Sequence, residues 1–555
     1  MTDEITVGDI AAEFLQACGV KTAYGVISVH NIPLLDAIGR RNAIRFVPAR
    51  GEAGAAHMAD AHARVSDALG VVITSTGPGA ANAAGGLLEA HFAGSPVLHI
   101  TGQTATTNVD RQQGMVHDAP EQLRMMASVG KAAYRVRSAN TALGVLTRAA
   151  AEALTPPRGP VSVEIPIDVL RTTLQRPRQL EDFSLPVPPA LAPDEAALST
   201  LCDLLVGAHR PMLWLGSGAR HATEAAASLV DLGVPLVTSW NGRGVVDEDH
   251  PLTLGGLNGT PEIEEFYASV DLLIVAGSRL RGHETRDMSL ALPARRAQID
   301  VDTSANGRTY TSEHFVCADS SLTLTALARR VAGRLAIEAG YGEEVAALKA
   351  RATEAYRDYL GPYRSFPGDL RQAMPRDAVW VRDVTLNNST WGNRIFPVHD
   401  PRDNVYPVSA AIGPGLPFGI GAALGAGGRK VVSMCGDGAF YLSLAEIWTA
   451  ADAGADVVFL VMNDGGYGVI RHIQDRLYGG RHVYDKPSGP DFEALAALAR
   501  VPFRRVTSAA ALGPTVAESI AIDGPVLVEV NMAAIGTFPP YFVPPPSMAA
   551  QKEKV

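Results

Sequence analysis

KVVSMCGDGAFYLSLAEIWTAADAGADVVFLVMNDGGYGVIRHI, from Lys430 to Ile473, holds two apolar runs separated by a helix-length spacer. The runs KVVSMCG (Lys430 to Gly436) and DVVFLVMN (Asp456 to Asn463) are too short for helices and lack the alternation of a half-exposed strand. They read as strands buried on both faces of a parallel sheet. An acid follows each run, Asp437 and, 27 residues further on, Asp464. The carboxyl ends of parallel strands are where open α/β sheets bind ligands, so two strand-end oxygens can face one cation. Gly436, Gly438, Gly465 and Gly466 leave the backbone open to a diphosphate and an octahedral Mg²⁺. Oxygen-only ligands favour Mg²⁺ over zinc. Singly, either acid reads as a turn or capping residue; the repeated strand-turn-helix context favours a shared site.

The same pattern recurs outward along the chain, in GVVITST from Gly70, SPVLHIT from Ser95, PMLWLGS from Pro211 and DLLIVAG from Asp271. With 555 residues, this predicts three tandem α/β domains with parallel sheets. The proline-dense RPRQLEDFSLPVPPALAPDE, Arg176 to Glu195, reads as one linker. From about Gly340 to Pro375 a charged, partly helical stretch passes into PYRSFPGD, where two prolines are expected to interrupt any helix, and marks a second boundary. The domains are placed at 1–175, 190–340 and 365–545. GPVSVEIP from Gly159 is echoed by GPVLVEVN from Gly524, which suggests that the outer two domains share a topology the middle one lacks.

Basic residues number 48 against 58 acidic ones, and no dense Lys/Arg block tracks a polymer of phosphates, which excludes a nucleic-acid partner. The four cysteines are scattered without a C-x-x-C pair, so neither a disulfide framework nor a zinc site is readable. No apolar run approaches the ~18 residues of a membrane span, and the acidic start lacks signal-peptide character. A cytoplasmic protein without a membrane partner is expected.

GDGAF, the 27-residue gap and NDGGYG resemble the thiamine-diphosphate signature of the acetolactate synthase, benzoylformate decarboxylase, pyruvate decarboxylase and benzaldehyde lyase family. The resemblance implies pyrimidine-binding, central and diphosphate-binding domains in that order. It further implies that Asp437, Asp464 and the carbonyl of Gly466 hold Mg²⁺ on the cofactor, with Gly436, Gly438 and Ala439 beside the diphosphate. The family usually has asparagine where this chain has Asp464. GPGLPFGIGAALG from Gly413 resembles the segment before the metal strand. Ile412 then matches the apolar wedge that bends the cofactor, and the carbonyl of Ala410 faces the aminopyrimidine. Val469 and Ile470 begin a helix facing the thiazolium carbon, and the glutamate of pyruvate decarboxylases is replaced by Ile470.

In the first domain, ARGEAGAAHMADAHAR from Ala49 opens a helix at Glu52. The resemblance implies that Glu52 is a buried carboxyl sharing a proton with the aminopyrimidine, so that the ring can deprotonate the thiazolium carbon. TSTGPGAANAAGG from Thr74 resembles the neighbouring loop that completes this pocket, with Asn82 at a position usually polar in the family; by itself Asn82 also reads as a helix cap. His30, in the loop YGVISVHNIP, falls where benzaldehyde lyase also has a histidine. RQQGMVHDAPEQ from Arg111 covers an active-site loop of relatives, in which Gln113 and His117 both stand as candidates to reach the cofactor. The proline-rich TFPPYFVPPP from Thr537 reads equally as a cover over the site and as a brace.

The resulting expectation is a Mg²⁺- and thiamine-diphosphate-dependent 2-oxo acid decarboxylase or carboligase, forming an enamine and passing it to a second carbonyl or a proton. A benzaldehyde-lyase-like acyloin lyase/ligase is a neighbouring alternative, and a non-catalytic cofactor-binding regulatory relative is an alternative of another class. The resemblance also implies a homodimer or homotetramer, with Glu52 and Asp437 meeting across subunits. GSGARH from Gly216 is a poor dinucleotide fingerprint, which leaves FAD open but unsupported.

Overall fold

The computed structural model describes residues 4–541. The apolar runs form three six-stranded sheets. In the first, strands Thr22–Gly25, Arg45–Pro48, Gly70–Thr74, Val97–Gln103, Ala132–Arg135 and Val161–Pro166 are ordered 2-1-3-4-6-5 when counted along the chain. The third sheet, Val379–Arg382, Asn404–Val405, Val431–Gly436, Val457–Asn463, Phe503–Val506 and Val526–Asn531, has the same order. The middle sheet, Pro211–Leu215, Leu236–Thr238, Thr253–Gly255, Leu272–Ala276, Arg296–Asp300 and His314–Cys317, is ordered 3-2-1-4-5-6. All three are parallel throughout, which requires helical crossovers on both faces and explains why the central strands are apolar on both sides. The echoed segments are the last strands of the outer sheets and occupy equivalent places in them.

The stretch from Gly340 to Pro375 is in part helical, as expected, with an interruption at the Pro362 turn but not at Pro367. It is helical over Tyr341–Tyr359 and again over Phe366–Ala373, with a 3₁₀ turn at Gly361–Tyr363 between them. Pro367 does not break its helix because it sits in the first turn, where its missing N–H has no partner to lose. Buried Tyr341, Val345, Leu348 and Ala352 pack this stretch into a core shared by the middle and third sheets.

The first and third domains also share a core. The helix opened by Glu52, Glu52–Ser66, lies against the glycine-rich helix Gly415–Gly425, with Met58, Val65, Phe418 and Ile420 buried between and around them. A Cβ on Gly421 would stand 2.1 Å from the Met58 carbonyl oxygen, so the backbones touch because no side chain separates them. Gly421→Ala is therefore expected to destabilise the protein by about 1–3 kcal/mol. Denaturant unfolding checks this, and an unchanged midpoint would contradict the close contact. No helix among the described residues is long and apolar enough to cross a membrane.

Candidate active site

The first cluster gathers at the carboxyl ends of the first sheet. The strand Arg45–Pro48 delivers Glu52 to the first turn of its helix, where the positive helix end favours a carboxylate. The strand Gly70–Thr74 leads to Ser75, Thr76 and Gly77, and the next helix, Pro78–Ala93, carries Asn82. Asn82 Nδ2 donates to Glu52 Oε2 at 3.1 Å. The other oxygen, Oε1, lies 3.1 Å from where a Cβ of Gly79 would be, so the absence of a side chain there leaves Oε1 uncovered. Glu52 is half-buried in the single chain rather than enclosed, and its partner Asn82 is itself exposed.

His30 and His117 meet in the same cluster, with ring centroids 5.3 Å apart. His117 Nδ1 lies 3.3 Å from Ser75 Oγ, and a Cβ on Gly77 would stand 2.2 Å from the His117 carbonyl oxygen. His30 is buried and its Nδ1 has no hydrogen-bond partner. Burial, then the His117 and Arg171 charges, lower its pKa and favour neutral imidazole. Gln113 is exposed and joins no hydrogen bond among the described residues, so of the two loop candidates the structure brings only His117 to the cluster.

Gln122 was not singled out from the sequence. Its Oε1 accepts from the Gly77 amide at 2.6 Å and from Thr76 Oγ1 at 2.9 Å, while its Nε2 donates to Glu164 at 3.0 Å. It thereby fixes the Gly77 turn from below. Nothing local separates Gln122 from an ordinary helix-start glutamine, which is why the sequence did not reveal it.

The second cluster lies at the carboxyl ends of the third sheet. Asp437 starts the short helix Asp437–Leu442 directly after its strand, and Asp464 follows the adjacent strand. Asp437 is 1% exposed and its Oδ1 has no hydrogen-bond partner. Asp464 Oδ2 lies only 1.8 Å from where a Cβ of Gly468 would be, and the Gly466 carbonyl oxygen 3.2 Å from where that of Gly438 would be. Gly438 and Gly468 are thus the spaces into which these oxygens fit. Burial raises the Asp437 pKa, while burial and then the Asp437 charge push Asp464 up to about 7. Two such carboxyls, an orphaned buried oxygen and a backbone carbonyl suit a hard divalent cation with oxygen ligands. Gly436 and buried Ala439 flank Asp437 on the same turn.

The lip of this cluster is apolar. Ile412, 43% exposed, stands on the turn before the Gly415 helix, and Ile470, 45% exposed, follows half-buried Val469 in the helix Gly468–Leu477. Ala410 has φ +64°, left-handed backbone that a residue with a Cβ seldom adopts. Beneath, Asp383 accepts from the amides of Gly413 at 3.1 Å and Gly415 at 2.6 Å. The Asp383 pKa is pushed up to about 7 by burial, against the pull of those amides.

The end of the described chain braces the third domain. Tyr363 Oη donates to the Gly536 carbonyl at 2.9 Å, Tyr359 Oη to the Pro540 carbonyl at 2.9 Å, and the Tyr541 amide to His472 Nδ1 at 3.0 Å. The rest of the proline-rich end, from Phe542, lies outside the described residues. In the middle domain, a Cβ on Gly216 would stand 2.2 Å from the Gly277 carbonyl oxygen and one on Gly218 2.7 Å from Gly277 Cα. Close packing of two strand-end loops accounts for these glycines without a dinucleotide. No hydrogen bond or ion pair joins Glu52 to Asp437 or Asp464 within the chain, among the described residues.

Comparison with known proteins adds an independent finding. Residues 5–125 match the description "Thiamine pyrophosphate enzyme, N-terminal TPP binding domain", residues 198–327 the central domain of the same enzymes, and residues 386–530 their C-terminal TPP binding domain. The chain is 31% identical to a probable 2-ketoarginine decarboxylase of Pseudomonas aeruginosa, over 88% of each protein. It is 27% identical to a probable chloroplastic acetolactate synthase of Oryza sativa subsp. japonica, over 94% of this chain and 82% of the relative. A probable acetolactate synthase large subunit of Methanococcus aeolicus is 26% identical, over 95% of this chain and 92% of that one.

Proposed function

Because the chain belongs to the thiamine pyrophosphate enzyme family, making or breaking C–C bonds with that cofactor, we propose that it is a Mg²⁺-dependent decarboxylase or carboligase of 2-oxo acids. The observation that carries the metal assignment is the gathering of the Asp464 side chain and the Gly466 backbone about the Asp437 carboxyl, whose buried Oδ1 has no hydrogen-bond partner in the protein. We assign Asp437, Asp464 and Gly466 to the metal and Gly436, Gly438 and Ala439 to the diphosphate. The bound cofactor supplies a carbon nucleophile that adds to the substrate carbonyl and stores the electron pair released with CO₂.

The chain's own residues orient, exclude water and move protons. Glu52 presents Oε1 for proton transfer while Asn82 donates to Oε2. His30 and His117 stand where a substrate oxygen or acceptor carbonyl can trade protons with them. Ile412, Val469 and Ile470 present apolar surface to the reacting carbon. Ile470 offers no proton, which favours transfer to a second carbonyl over simple protonation. The histidine pair supports a second reading, reversible acyloin cleavage of the benzaldehyde lyase kind. Membership of an enzyme family with decarboxylase and synthase relatives speaks against a non-catalytic relative.

A homodimer or a tetramer of such dimers completes the proposal, because both clusters carry exposed apolar lips. Ile27, 61% exposed, and Val116 belong to the first, Ile412 and Ile470 to the second. Domain limits at 1–175, 190–340 and 365–545 and a cytoplasmic location belong to the same reading.

Screening 2-oxo acids for CO₂ release, with and without aldehyde acceptors, tests the function, and benzoin tests the second reading. Turnover is expected only with thiamine diphosphate and Mg²⁺ present. Chelation of the metal should remove it and Mg²⁺ should restore it. No product from any 2-oxo acid or acyloin under loaded conditions would overturn the proposal.

A further inference from the structure

The segment from Tyr406 to Gly415 carries left-handed Ala410 and exposed Ile412, yet few of its own backbone groups bond to each other. Its hold comes from elsewhere. Glu89, fully buried on the first-domain helix Pro78–Ala93, accepts through Oε1 from the Val408 amide at 2.6 Å. Its Oε2 accepts from the Ser409 amide at 2.9 Å and from the Ser409 hydroxyl. Arg64, on the Glu52 helix, pairs with Glu89 at 2.9 Å and bidentately with Asp60, and donates to the Tyr406 carbonyl at 2.6 Å. From the middle domain, Arg281 donates to the Val408 carbonyl at 2.7 Å. Asp383 then fixes the far end at Gly413 and Gly415.

The chemistry at Glu89 is exacting. Its two oxygens receive two amides, a hydroxyl and a guanidinium, an all-donor shell that only an acceptor-only carboxylate can meet. Burial opposes the charge, but Arg64 and the Ser409 donors hold its pKa below the usual carboxylate range. Ser409 Oγ passes the constraint on, standing 3.4 Å from the Ala411 amide that follows Ala410. A buried ion pair serving stability alone would not need to spend two oxygens on the backbone of another domain's loop.

We propose that Glu89 is a positioning residue for the cofactor, acting through Val408 and Ser409 to place the Ala410 carbonyl and the Ile412 side chain. This rests on the thiamine-diphosphate reading above. Glu89 touches no reacting atom; it fixes the loop that does. In Glu89→Gln one acceptor oxygen becomes an amide NH₂ donor that faces N–H groups, while the Arg64–Asp60 pair remains. Ser409→Ala removes only the hydroxyl link.

The test compares the intact protein with both variants by three measurements. They are backbone hydrogen exchange across residues 408–415 without cofactor, Mg²⁺-dependent thiamine diphosphate binding by calorimetry, and deuterium exchange at the thiazolium carbon of the bound cofactor. In Glu89→Gln the segment should lose about tenfold in protection and the thiazolium exchange should slow about tenfold, with cofactor still bound. Ser409→Ala should move both in the same direction by less, and it carries the test if Glu89→Gln fails to fold. Unmodified protein that binds cofactor, with folded variants exchanging at its rate, overturns the proposal alone. Unmodified protein that binds no thiamine diphosphate overturns the functional reading and this proposal together.

Discussion

Replacing Glu52 by glutamine is expected to slow turnover by about 10²- to 10⁴-fold, the usual worth of a positioned proton-transfer group. Cofactor binding should survive, because glutamine keeps an oxygen for the Asn82 amide that now donates at 3.1 Å. What is lost is a titratable Oε1 beside Gly79, where nothing covers it. Steady-state rates and calorimetry on the same preparation separate the two effects. Undiminished turnover in Glu52→Gln would remove this residue from the mechanism, whatever the substrate proves to be.

Asp437→Ala should act earlier, at assembly of the site. Its Oδ1 is buried with no partner in the protein, a desolvated acceptor suited to a ligand. Removing it should weaken Mg²⁺-dependent binding of thiamine diphosphate by at least about a hundredfold, since even supporting contacts around metals are worth 10- to 100-fold. Asp464→Asn should leave binding largely intact, because an amide oxygen still points between Gly466 and Gly468 and the repulsion between two buried acids disappears. Titration calorimetry with and without Mg²⁺ reads both. Equal affinity in Asp437→Ala and the unchanged protein would show that the cation, if bound, sits elsewhere.

The sheets were legible because parallel strands covered on both faces have no choice but to be apolar throughout, as in DLLIVAG and DVVFLVMN. The two acids were legible because strand ends announce themselves. What escaped were residues whose partners are distant in sequence. Glu89 is the one acid in the mostly apolar GAANAAGGLLEAHFAG, a sign of a paired buried charge, but its partners in the chain are Arg64 and a loop more than three hundred residues away. Asp383 likewise looks like a strand-end acid with no glycine signature of its own. The loop holding Gln113 and His117 could not be resolved by spacing, since only the fold shows which one turns toward Ser75 and His30.

The backbone contact between Gly421 and Met58 bears on how this protein could be recombined with its relatives. A crossover placed between the first and third domains would pair a Glu52 helix from one parent with a Gly415 helix from the other. A bulge of one methyl at that meeting would be felt along both helices, and through Arg64 at the loop carrying Ala410. Functional chimeras should therefore inherit residues 52–66 and 406–425 from a single parent, even when the sequence between them is exchanged freely.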